Sequence, residues 1–110
     1  MAERRTKITR GSGNVFQDLG FDNADELQAE AVLAQEIYMI VKGRKLSQRQ
    51  AAKLLGLDQA DINKLMNGRY TGFSLRRLVA LLNKLDRDVE LVVKKRPRSR
   101  SHAIFKVRAA

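Results

Sequence analysis

Gln59, Ala60, Asn63, Lys64 and Asn67 fall on one side of a short stretch with helical spacing, and each is short or able to hydrogen-bond. Carboxamide, ammonium and methyl groups in that array suit the edges of bases better than a small substrate. The opposite side of the same stretch carries Ile62, Leu65 and Met66 and has to be covered by other elements. Catalytic chemistry has no comparable footing. The one histidine, His102, lies in a basic run without a carboxylate or cysteine neighbour. Metal-ligand spacing, a nucleophile–base pair and a phosphate-cradling glycine loop are all missing, and Gly68 and Gly72 flank a polar loop rather than a strand-to-helix turn. An enzyme is not expected, and neither a cofactor nor a metal.

The stretch Leu46–Gly68, LSQRQAAKLLGLDQADINKLMNG, supplies the elements that would hold this face. The Ser47 hydroxyl can cap a helix over Gln48–Leu55, whose inner side is Ala51, Ala52 and Leu55. Gly56 can end that helix in a left-handed conformation at little steric cost. Leu57 plugs the angle, and Asp58 caps a second helix over Gln59–Asn67. Two short helices about a tight turn form a helix-turn-helix.

A chain of 110 residues is one domain by length, and 44% apolar residues can close a modest core. No run approaches the ~20 apolar residues of a membrane span. No cysteine is present and the N-terminus lacks an apolar signal region, so the expected location is cytoplasmic with no membrane partner. The net charge of +10 is unevenly spread. Residues 11–43 are acidic, whereas 1–10, 44–87 and 94–110 are basic, which fits a polyanion at the helix-turn-helix half.

In chain order, residues 1–13 read as a flexible arm ending in Gly11-Ser12-Gly13. Asn14 can cap a short turn through Val15–Leu19; its apolar residues either dock on the core or form a patch for a partner. Asn23 or Asp25 then caps a long helix to about Lys42, with Leu27, Ala31, Ala34 and Tyr38 in line and Ile37 and Val41 beside them. Arg69–Phe73 is a loop. Ser74 caps Leu75–Leu85, with Leu75, Leu78, Val79, Leu82 and Leu85 as its apolar stripe. Val89–Val93 switches to a β-rich run that needs a partner. The same strand of a second copy is the economical one, and Thr6–Thr9 is the intramolecular competitor. Residues 94–110 read as a disordered basic tail with seven cationic residues. The expected architecture is mainly α: a bundle of four to five helices over residues 14–93, with a C-terminal strand available for an intermolecular two-stranded sheet.

The stretch QRQAAKLLGLDQADINKLMNG resembles the DNA-binding helix-turn-helix of phage-repressor-type (Cro/C1-like) regulators, the xenobiotic-response-element family. The resemblance rests on a small residue at Ala52, a turn glycine at Gly56 and a β-branched Ile62, which let two helices approach and seat the second. Over residues 12–93, the flanks SGNVFQDLGF and GFSLRRL extend the resemblance to HigA-like antitoxin regulators. In such domains a glutamine opening each helix cooperates, one on a phosphate and one on a base; Gln48 and Gln59 hold those positions. The resemblance thus implies that Gln59 reads a base, adenine being the natural partner of a carboxamide. Ala60 would touch a thymine methyl, Asn63 and Lys64 further bases or phosphates, and Asn67 a phosphate. Arg69, Tyr70 and Thr71 would make phosphate contacts, which position without specifying, and Ser47, Gln48 and Arg49 would lie along the backbone. Taken singly, Gln48 and Gln59 are ordinary first-turn residues; their joint placement about Ala52, Gly56 and Ile62 carries the reading. Asn67-Gly68 also fits a plain helix stop, and Arg76 and Arg77 a solvated face. Asp61 is out of place beside phosphate, unless it points sideways or pairs with Lys64 or Arg44.

The implied function is a dimeric repressor on a palindromic double-stranded operator. It would act as antitoxin to a RelE-type toxin, which the arm at residues 1–22 and the acidic helix would cover. A stand-alone regulator of phage or mobile-element origin is the alternative.

Overall fold

The computed structural model describes residues 21–110, and among these it contains four helices: α1 Phe21–Gly43, α2 Gln48–Leu55, α3 Gln59–Met66 and α4 Leu75–Lys84. The arm at 1–13, the turn at Val15–Leu19 and the strand competitor Thr6–Thr9 lie outside the described residues.

Each boundary in the helix-turn-helix has a local cause. Ser47 and Gln50 form a reciprocal capping box: the Gln50 amide donates to Ser47 Oγ at 3.0 Å, and the Ser47 amide to Gln50 Oε1 at 2.8 Å. Gly56 stands at φ 70°, so a side chain there would be strained, and the following Leu57 amide returns to the Ala52 carbonyl at 2.9 Å. Asp58 caps α3 through the Asp61 amide at 2.7 Å, and Ser74 caps α4 through the Arg77 amide at 3.1 Å. The start of α1 differs from expectation. It begins by Phe21, ahead of both Asn23 and Asp25. Asp and Asn favour a cap and a first turn for related electrostatic reasons, so residue type alone does not separate the two.

α1 packs chiefly on α4 and α2 on α3, and the two pairs close on one another. Ile37, Val41, Leu55, Ile62, Leu65, Leu78, Leu82 and Leu85 are almost completely buried. The expected inner faces of α2 and α3 are in place, with Met66 only partly covered. The stripe on α1 keeps Ala34, Ile37 and Val41 of the expected face but turns away from Leu27. Leu33, Ala34, Ile37, Ile40 and Val41 face inward, whereas Leu27 is 42% exposed. Apolar residues occur on every side of α1, so periodicity leaves its inner face undetermined. On α4, Leu81 joins the core while Leu75 and Val79 sit at its edge.

Among the described residues, the run Val89–Val93 is not in a strand. No described segment offers the ladder that a strand there would need. Val89 packs at the edge of the core, while Leu91, Val92 and Val93 are 78%, 73% and 97% exposed. Residues 94–110 have neither helix nor strand, yet their far end returns to the bundle: the Phe105 amide donates to the Asp25 carboxylate at 3.1 Å, and Val107 packs on the core. Two apolar residues two apart in a basic run are the signal that a reading as disordered tail passes over.

Glu30 is the one buried charged residue among those described, 8% exposed on the inner side of α1. Burial first, and the Glu26 carboxylate second, push its pKa from the ordinary 4.5 up to about 7. The unfolded chain therefore releases this proton more readily than the folded one. The resulting destabilisation is absent at low pH, grows as pH rises from about 4.5 to about 7, and is complete above that. Glu30→Gln should consequently raise the melting temperature at pH 8 and leave it nearly unchanged at pH 4, as thermal unfolding followed by circular dichroism would show.

Candidate nucleic-acid interface

The geometry gathers most of the candidate residues into one exposed patch. α2 and α3 meet so that Gln48 and Gln59, eleven residues apart, touch: Gln59 Nε2 lies 3.4 Å from Gln48 Oε1. Asn63, one turn further along α3, approaches the same oxygen with Nδ2 at 3.5 Å. Both contacts are long, so they orient the carboxamides without holding them against a better partner. Arg69 donates from Nη2 to Asn63 Oδ1 at 3.1 Å, bringing the loop after α3 onto the same patch. Asn67 Nδ2 donates to the Asn63 carbonyl at 2.8 Å, so this side chain closes the helix end as well as facing outward.

The remaining candidates divide by what their polar atoms do. Ala60 presents its methyl on the open side of α3, and Arg49 and Thr71 are exposed. Ser47 is exposed, but its hydroxyl already accepts the Gln50 amide. Lys64 Nζ stands 4.0 Å from Asp61 Oδ1, a loose pairing that leaves its ammonium in solvent. Tyr70 differs most from the rest. Its ring packs on the core edge and lines, with Tyr38 and Met66, a groove of about 340 Å³ between α1 and the end of α3.

Of the two expected partners of Asp61, Lys64 stands at 4.0 Å and Arg44 turns instead to the Leu85 carbonyl. The main partner is Arg77 of α4, whose Nη2 lies 2.8 Å from Asp61 Oδ2. Spacing could not have disclosed this, because the two residues are sixteen apart on separate helices. Two further cations set the frame rather than the patch. Arg44 donates to the Leu85 carbonyl at 2.8 Å and Lys84 to the Leu55 carbonyl at 3.0 Å, satisfying the open ends of α4 and α2.

An eight-residue helix is about 12 Å long and, with its side chains, about as wide as the major groove. The outer side of α3 leaves Gln59, Ala60, Lys64 and Asn67 exposed, over a length that such a groove can take. Arg69→Ala should weaken binding to all duplexes alike and flatten the salt dependence by about 0.9 in log–log slope, the signature of one lost phosphate contact. A fluorescence-anisotropy titration at several salt concentrations measures both.

Comparison with known proteins agrees with this geometry. A family model described as a helix-turn-helix domain matches residues 15–94. A solved chain assigned as an XRE family transcriptional regulator superposes with a TM-score of 0.75 at 43% sequence identity, covering 80% of this chain and 99% of the other. A search of curated proteins gives no match. Among the described residues no helix is long and apolar enough to cross a membrane. With α2 and α3 forming the paired helices and most of both chains superposed, this protein belongs to the XRE family of helix-turn-helix DNA-binding transcriptional regulators.

Proposed function

We propose that the protein is a homodimeric, sequence-specific repressor of its own operon and the antitoxin of a type II toxin–antitoxin module with a RelE-type toxin. The observation that carries the DNA half is the exposed carboxamide set on α3, with Gln59 and Asn63 gathered about Gln48. Gln59, Ala60, Asn63 and Lys64 read the groove. Ser47, Gln48, Arg49, Asn67, Arg69, Tyr70 and Thr71 lie along the backbone. Exposed Leu91, Val92 and Val93, in a segment of β-forming residues, favour pairing with the same segment of a second copy. Two α3 helices would then address successive major grooves about 34 Å apart on a palindromic operator. A cytoplasmic location goes with that role.

The toxin half rests on the resemblance of the flanking segments and on α1. Apart from buried Glu30, this helix carries Asp25, Glu26 and Glu36, and it exposes Leu27 and Met39. An acidic surface with apolar residues suits a basic protein partner. Co-expression with the product of the neighbouring reading frame tests it. Stable co-purification, abolished by charge reversal at Glu26 and Glu36, is the expected result. Operator binding without any such partner would leave a stand-alone regulator of phage or mobile-element type. Failure to shift any duplex at low salt would remove the DNA half as well.

A further inference from the structure

A carboxylate in the first turn of a groove-facing helix opposes binding, because it faces the phosphates that the rest of the surface attracts. Asp61 occupies that place on α3. The structure draws it aside. Arg77 holds Asp61 Oδ2 at 2.8 Å, with the carboxylate side chain 23% exposed and the guanidinium side chain 43%. Arg77 is itself fixed from two other directions. Its guanidinium carbon lies 4.6 Å from the ring centroid of Phe73, which is only 3% exposed, and its backbone amide donates to Ser74 Oγ at 3.1 Å. A planar cation stacked on a buried ring is much better placed than a free lysine to hold one orientation. The ion pair also joins the first turn of α3, which carries Gln59 and Ala60, to the first turn of α4.

We propose that Arg77 is a positioning residue for DNA recognition: it turns the Asp61 carboxylate away from the groove and sets the angle at which the first turn of α3 meets the bases. This rests on α3 being the groove-facing helix. Arg77 then acts on DNA through Asp61, and its importance depends on the carboxylate being there.

The test is a double-mutant cycle on the full chain, with anisotropy titrations on two probes. One is a duplex selected by the wild-type protein from a random pool, and the other a scrambled duplex of the same composition. Arg77→Gln should weaken binding to the selected duplex about tenfold, the scale of coupling between contacting residues. Asp61→Asn should bind at least as tightly as wild type, and Arg77→Gln in the Asp61→Asn background should cost no more than about twofold. Arg77→Lys keeps the charge without the stacked fork, so it should retain affinity for the scrambled duplex and lose part of the preference for the selected one. An equal penalty for Arg77→Gln in both backgrounds would mean a direct phosphate contact and would overturn the proposal. So would an Arg77→Lys protein with undiminished preference, or a loss of thermal stability with no change in DNA binding. A wild-type chain that selects no duplex at low salt fails the DNA-binding reading itself, before any variant is made.

Discussion

A Gln59→Ala protein should lose about 1–3 kcal/mol of discrimination between its operator and unrelated DNA, roughly a 5- to 150-fold fall in the ratio of dissociation constants. Gln59 is exposed in the first turn of α3, and its amide nitrogen is only loosely engaged by Gln48 at 3.4 Å. That weak contact steers the carboxamide without satisfying it, leaving a donor and an acceptor for a base edge. Truncation at the β-carbon removes both and barely touches the fold, because the Asp58 cap and the buried Ile62 and Leu65 stay in place. The loss should appear in affinity for the selected duplex alone. Binding to the scrambled duplex rests on phosphate contacts and should be unchanged. Full operator preference in the variant would falsify the assignment of α3 as reader. The contrast with Arg69→Ala is diagnostic, since that substitution should lower both affinities and leave their ratio alone.

Ile62→Ala should cost about 2–5 kcal/mol of folding stability. Ile62 is completely buried on the inner side of α3, within the same core cluster as Leu55 of α2 and Leu78 and Leu82 of α4. α3 is only eight residues long and cannot persist alone, so its position comes from this packing. A shift of roughly 4–8 °C accompanies each kcal/mol for a domain of this size, so the melting temperature should fall by about 10 °C or more. Thermal unfolding by circular dichroism measures it. DNA binding should suffer too, and unlike that of Gln59→Ala it should recover at low temperature, where the folded fraction is restored. A variant with an unchanged melting temperature would show that Ile62 does not anchor the recognition helix.

The helix-turn-helix is the part of the fold that local chemistry writes most clearly. Ser47, Gly56, Asp58 and Ser74 each act within a few residues of themselves, through a cap or a left-handed turn. The inner faces of α2 and α3 follow from spacing for the same reason, since an amphipathic short helix has one apolar side to bury. Gln48 and Gln59 could be singled out because each opens a helix whose start is marked by its own cap. Where that locality ends, so does the legibility. α1 is apolar on several sides, and only its contact with α4 chose Leu33 and Ile40 over Leu27. The run Val89–Val93 has β-forming residues, but hydrogen bonding in a strand depends on a neighbour that the described part of the chain does not supply.

By itself, then, the sequence determined a basic helix-turn-helix with a carboxamide-bearing second helix, because caps, turns and helical period are short-range. Tertiary structure decided the rest. It brought Asn63 and Arg69 to the Gln48–Gln59 pair, buried Glu30, returned Phe105 to Asp25, and resolved the misplaced Asp61 by bringing Arg77 across from another helix. Apart from Asn63–Arg69, these contacts join residues far apart in the chain, and their geometry exists only once the core has fixed how the helices cross.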